Sequence, residues 1–226
     1  MEIKVVRQIL EWNEDCSNEI KEVLSEKKVY MINIMGSPGA GKTSLIIELI
    51  NALKGQFKIG VIEGDIAGKI DAEKIDSLGI PVVQLNTEGA CHIEAMSIKN
   101  ILQYFDLDGL DLIFIENIGN LVCPAEFRIG EDLRITVLSV PEGDDKPEKY
   151  PLMFTETDVL VVNKYDMAQY FEFDTDRVET VSKSHNPNIK GFMVSSKSGD
   201  GVDELKKHII EKLSSKLRNK YNLEVK

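Results

Sequence analysis

The chain has 226 residues, 42% of them hydrophobic and 29% charged, and its 38 acidic against 27 basic side chains leave a formal net charge of −11. That length suits one α/β domain with a short appendage and is enough to bury a sizeable core. The acidic balance, with basic residues dispersed, argues against nucleic acid or an anionic membrane as partner, and no run approaches the roughly 18 apolar residues of a membrane span.

Met1–Lys4 opens a mixed-charge amphipathic stretch rather than a signal peptide. The cysteines number three, an odd count without export signals, so reduced thiols and a cytoplasmic location are expected. Ile3, Val6, Ile9 and Leu10, then Ile20, Val23 and Leu24, recur at helical spacing and predict helix over residues 3–26. Asn13-Glu14-Asp15 is expected to break it in two. Val29–Met35 reads as a buried strand. Gly36-Ser37-Pro38-Gly39-Ala40-Gly41-Lys42-Thr43 follows, a full match to G-x-x-x-x-G-K-[ST], and helix 42–54 runs out of it through Ser44. Glycines at these positions let backbone N–H groups curl around phosphate oxygens at a helix N-terminus. Lys42 is expected on the β- and γ-phosphates and Thr43 on Mg²⁺.

Strand 57–62, a helix near 71–78 and strand 81–85 come next. Glu63-Gly64-Asp65 follows the first of these strands, and Asp65 is the acid expected nearest the metal and the attacking water. Asp71, at a helix start, is the alternate. Cys91-His92 is placed in the first turn of helix 91–105, where the helix N-terminus would favour the thiolate. Strand 111–116 ends in Glu116-Asn117-Ile118-Gly119, the slot where many GTPases carry D-x-x-G, with Gly119 expected on the γ-phosphate and Glu116 on Mg²⁺ through water. Cys123 lies seven residues beyond Glu116. Both thiol loops leave the C-terminal ends of strands, the edge that carries ligands in open α/β sheets. Two thiolates and one imidazole are one ligand short of a closed tetrahedral site, which a two-fold axis would complete. Cys16 is read as packing.

Strand 134–140 leads to Pro141–Pro151, read as one long polar loop. Strand 158–162 runs into Asn163-Lys164-Tyr165-Asp166, an N-K-x-D match about 120 residues after the phosphate loop. Asp166 can accept from guanine N1 and N2, groups adenine does not offer, with Asn163 on the other edge and Lys164 over the base. Helix 174–184, strand 189–194 and helix 201–218 complete the pattern. Ser195-Ser196-Lys197 resembles the S-A-K element that backs the base. His185 and His208 are expected in solvent. The alternation predicts a mostly parallel central sheet with helices on both faces, and with the phosphate loop and N-K-x-D motifs a three-layer α/β P-loop NTPase, residues 1–28 being a helical appendage and 29–226 the GTPase domain.

Asn33–Thr43, Glu63–Asp65, Gly89-Ala90-Cys91-His92, Glu116–Pro124 and Asn163–Asp166 together resemble the hydrogenase nickel-incorporation (hydrogenase maturation) GTPase family. The resemblance runs from the N-terminal helix to residue 218. It implies GTP as substrate and GDP as product, Mg²⁺, and Ni²⁺ or Zn²⁺ at Cys91, His92 and Cys123. It also implies nucleotide- or metal-linked homodimers, a nickel-binding accessory protein and the hydrogenase large subunit as partners. No C-x-x-C-G-C motif is present and the histidines number three, so no high-affinity nickel store is expected. No glutamine occupies the usual water-orienting position, which predicts slow intrinsic hydrolysis. Two alternatives share these motifs. A urease-type nickel GTPase uses C-P-H where this chain has Cys123-Pro124-Ala125, and a regulatory G protein needs no transition metal.

Overall fold

The computed structural model describes residues 2–64, 69–86 and 89–221, and side chains within 9–64, 73–86 and 89–217. Seven strands form one parallel sheet among these residues: β1 (Tyr30–Gly36), β2 (Ile59–Glu63), β3 (Val82–Gln84), β4 (Leu112–Glu116), β5 (Leu133–Ser139), β6 (Val159–Asn163) and β7 (Lys190–Met193). Their order is β3-β2-β4-β1-β5-β6-β7, so β1 lies at the centre with β4 and β5 beside it. Every residue of β1, β2, β4, β5 and β6 is buried. That is why these strands are apolar runs without alternation: helices cover both faces.

Helices α2 (Lys42–Leu53), α3 (Lys69–Asp76) and α9 (Val202–Tyr221) lie on one face. There Leu45, Leu49, Leu205, Ile209 and Leu213 close over Ile32, Ile34, Phe114 and Val161. The other face is shared by α1 (Glu2–Lys27) with α4 (Ala95–Leu102), and by α7 (Pro151–Thr155) with α8 (Thr175–His185). Cys16, Ile20 and Leu24 of α1 pack there with Ile98, Ile113 and Ile115, and Cys16 is buried.

Four expectations are corrected. Helix α1 is unbroken through Asn13. An internal Asn usually competes with the helix by bonding its own backbone. Here the buried Asn13 amide donates to Arg128 O at 2.8 Å and accepts from Ala95 N at 2.9 Å, so its polar groups are spent on tertiary partners. Helix 91–105 shrinks to α4, with Glu94 extended at its N-cap (φ −93°, ψ 154°) and Cys91-His92 in the bend before it. The stretch 141–151 is not an open loop: it folds into a 3-10 turn, α6 (Lys146–Lys149) and the start of α7. Arg177 of α8 holds it by bonds to Glu148 at 2.9 Å and Asp144 at 3.1 Å. Neither late histidine is simply solvated. The ring of His185 reaches Pro147 O at 3.1 Å, and half-buried His208 tilts against Phe192 with centroids 5.5 Å apart. Burial pushes the His208 imidazole below its usual value. Asp65 lies outside the described residues, as does the side chain of Asp71.

Candidate functional site

The phosphate loop leaves the C-terminal end of the central strand β1 and turns into α2 at Lys42. Gly41 has φ +93°, and a Cβ there would stand 2.5 Å from Asn163 Nδ2. Only glycine meets both conditions. Lys42 is 3% exposed. Its Nζ donates to Ser37 O at 3.3 Å and stands 4.0 Å from Glu116 Oε1. Thr43 Oγ1 donates to the same carboxylate oxygen at 3.0 Å. Ser44, one position further along α2, is exposed. Glu116 is paired in register with Glu63 of β2, and both residues are 1% exposed. Glu63 is an acid of this cluster that the motifs alone do not single out. The available signal was an acid ending an apolar strand.

Gly119 lies against the phosphate loop. A Cβ at this position would come within 2.8 Å of Pro38 N and Cγ and 2.9 Å of Pro38 Cα. The glycine is therefore required by close approach and not by a left-handed backbone.

The N-K-x-D stretch clamps the phosphate loop from the other side. Asn163 Nδ2 donates to Ala40 O at 3.0 Å and to Gly41 O at 3.4 Å. Its Oδ1 accepts from Ser196 N at 3.1 Å and Ser196 Oγ at 2.9 Å. Lys164 holds φ +55°, a conformation uncommon for a residue with a Cβ. That backbone lets Nζ donate to Gly39 O at 2.7 Å, while Tyr165 N donates to Val194 O at 3.0 Å. Asp166 and Lys197 are exposed, whereas Ser195 and Ser196 are buried. Ser195 Oγ accepts from Ser198 N at 3.3 Å, which shapes the turn.

Cys91, His92 and Cys123 bring one ligand atom each to within 4.8 Å of one another. Cys91 Sγ stands 3.5 Å from His92 Nδ1. The imidazole stacks on Phe127 with centroids 4.0 Å apart, and burial pushes its pKa down, so the neutral ring that can bind a metal is favoured. Contact with Cys91 and then burial raise the Cys123 thiol. Cys123 opens the short helix α5 (Cys123–Glu126). Cys91 does not lie in the first turn of a helix as expected, because α4 begins after Glu94. Phe127 is held by buried Arg134, which donates to Phe127 O at 2.7 Å, to Ala125 O at 3.2 Å and to Glu131. The Asn13 amide joins Arg128, the residue after Phe127, to Ala95, three residues after His92.

Residues 30–192 match the family description "CobW/HypB/UreG, nucleotide-binding domain". The chain is 40% identical over 214 residues to the hydrogenase/urease maturation factor HypB of Helicobacter hepaticus, covering 93% of this chain and 88% of that one. It is 38% identical over 203 residues to the probable hydrogenase maturation factor HypB of Methanocaldococcus jannaschii, covering 90% and 92%. Its structure resembles the crystal structure of HypB from Helicobacter pylori in complex with nickel, with a TM-score of 0.84 and 35% identity over 90% of this chain and 95% of that one.

Proposed function

The chain belongs to the CobW/HypB/UreG nucleotide-binding family and is a GTPase, and we propose that it is a metallochaperone that helps insert nickel into [NiFe]-hydrogenase, with its nucleotide state coupled to the Cys91, His92 and Cys123 site and to dimerisation. The observation that carries the reading is the convergence of Cys91, His92 and Cys123 at the end of the stretch that begins with Glu116 and Gly119. Nickel is cargo at this trio, and Zn²⁺ is the competing ion, since two thiolates and an imidazole suit both. A homodimer linked to nucleotide or metal would supply the missing ligands. A nickel-binding accessory protein would load the site, and the hydrogenase large subunit would receive the ion. The absence of a helix long and apolar enough to cross a membrane among the described residues is compatible with work in the cytoplasm.

In this reading the loop from Gly36 to Thr43 cradles the phosphates, with Lys42 neutralising charge between the β- and γ-groups. Its present bond to Ser37 O keeps that ammonium folded into the loop. The hydroxyl of Thr43 and the carboxylates of Glu116 and Glu63 are hard oxygen donors, the set that Mg²⁺ prefers. When bound, the ion would supply positive charge to offset that of the phosphates. Thr43, Asp65 and Glu116 are the residues proposed to hold it, with Asp65 also assigned to the attacking water. Gly119 presents its amide to the γ-phosphate. Asn163, Lys164 and Asp166 select guanine, backed by Ser195, Ser196 and Lys197.

The test is size-exclusion chromatography with metal analysis, on protein loaded with GDP or with a non-hydrolysable GTP analogue. Nickel held above the level of a Cys91→Ala/Cys123→Ala variant supports the reading. Equal metal content in the two proteins returns the chain to the metal-free regulatory class. A urease target is the second reading, because the Helicobacter hepaticus relative is named for both enzymes. Nickel transfer to the apo form of each enzyme separates the two.

A further inference from the structure

Asn120 touches the phosphate loop and the thiol loop at once. Its backbone N–H donates to Gly36 O at 3.1 Å, closing an isolated antiparallel bridge onto the last residue of β1. Its side chain turns the other way along the loop. Oδ1 accepts from Val122 N at 2.7 Å and from Cys123 N at 3.4 Å, and Nδ2 donates to Cys123 Sγ at 3.6 Å. One residue earlier, Gly119 packs on Pro38. Two consecutive residues therefore rest on the phosphate loop, and the second of them grips the amide and the sulfur of a metal-ligand residue.

We propose that Asn120 is the positioning residue that transmits a shift of the phosphate loop to the Cys123 sulfur. The inference rests on the proposed coupling between nucleotide state and the Cys91, His92 and Cys123 site. The bridge to Gly36 is a backbone bond, so Asn120 follows the loop whatever its side chain. The bonds to Cys123 belong to the side chain, so they are the part that a substitution removes. Asn120 → Ala keeps the first contact and cuts the second. Asn120 → Asp keeps an acceptor for both amides and loses the N–H donated to sulfur.

A second brace supplies a control. Asn13 ties the segments after His92 and after Phe127 together, and its two bonds go to Ala95 and Arg128, not to the phosphate loop. Loosening this brace should weaken the metal site without touching its link to nucleotide.

The experiment is Ni²⁺ titration of the full chain by isothermal calorimetry, in GDP and in a non-hydrolysable GTP analogue. The readout is the ratio of the two nickel dissociation constants. For the parent protein a ratio of roughly 5–150 is expected for linked sites. Asn120 → Ala should bring it to within about twofold of unity, with Asn120 → Asp between the two, since couplings carried by one joint vanish when the joint is cut. Asn13 → Ala should weaken nickel binding equally in both nucleotide states and leave the ratio at its parent value. A parent-like ratio in Asn120 → Ala overturns the assignment, and so does a collapsed ratio in Asn13 → Ala. Where Asn120 → Ala does not fold, Asn120 → Asp carries the test, and an undiminished ratio there overturns it. A parent ratio of unity overturns the coupling reading itself, a result distinct from retained coupling in the variants.

Discussion

Gly119 → Ala probes the contact on which the nucleotide site and the thiol loop meet. The added methyl would stand 2.8 Å from Pro38 N and Cγ, where ordinary contact begins near 3.4 Å. Something must retreat by about 0.6 Å in a closely packed region. Two of the three crowded atoms, N and Cα, are phosphate-loop backbone and have no rotamer to escape into. Overpacking of this kind costs roughly 1–3 kcal/mol. If the strain falls on the nucleotide-bound arrangement, at about 1.4 kcal/mol per decade the dissociation constant for a GTP analogue rises on the order of 5–150-fold. A fluorescent guanine nucleotide titration measures this, with urea unfolding run alongside. Gly191 → Ala is the matched control, because nothing lies within 4 Å of its added methyl. Nucleotide affinity within twofold of the parent, together with an unchanged unfolding midpoint, would refute the claim that Gly119 is required by close approach.

Three further outcomes are expected. Asn163 → Ala leaves Ala40 O and both Ser196 donors without their partner, and at about 1–3 kcal/mol for each buried orphan guanine nucleotide affinity should fall at least tenfold; a smaller loss in the same titration argues against the clamp. Asp166 → Asn should shift preference from guanine toward xanthine, read by competition between GDP and XDP, and an unchanged preference removes Asp166 from base recognition. Arg134 → Ala strands the buried Glu131 carboxylate and frees Phe127, and breaking such a pair costs roughly 3–5 kcal/mol in urea unfolding at pH 7. Burial alone would push Glu131 up, but the Arg134 charge and hydrogen bond outweigh it and hold the carboxyl below its ordinary 4.5. In the parent this contribution is therefore complete above 4.5 and is lost only as the pH falls through the lower folded value. In the variant the carboxyl is left with burial dominant, so the penalty should shrink as the medium becomes acid enough to protonate it. A penalty that stays constant between pH 7 and pH 4 would contradict this account of the pair.

The parallel α/β class was legible because it is local and repetitive. Strands such as Val29–Met35 and Asp111–Glu116 are buried on both faces and so read as unbroken apolar runs, while α2 and α9 carry helical spacing. The phosphate loop and N-K-x-D were legible for a related reason. Each is a short stretch whose chemistry is complete in its own residues, and each sits where a strand hands over to the next element. The polar stretch at 141–151 misled because Arg177, which orders it, is about 30 residues away. Asn13 misled for the same reason: a residue that breaks helices in isolation is harmless once its amide is spent on Arg128 and Ala95.

The sequence by itself determined the alternation of strands and helices, the phosphate loop at the end of the first strand, the N-K-x-D element and the family these motifs resemble. Only the tertiary structure decided that loops following β3 and β4, separated in the sheet by β2, lean together and bring Cys91, His92 and Cys123 within 4.8 Å. It also decided that α1 braces those loops through Asn13, and that Asn120 joins Gly36 to Cys123. Motifs are governed by neighbours along the chain, and their spacing can be read in one dimension. The convergence of loops 32 residues apart depends on sheet order and helix packing, which no spacing along the chain encodes.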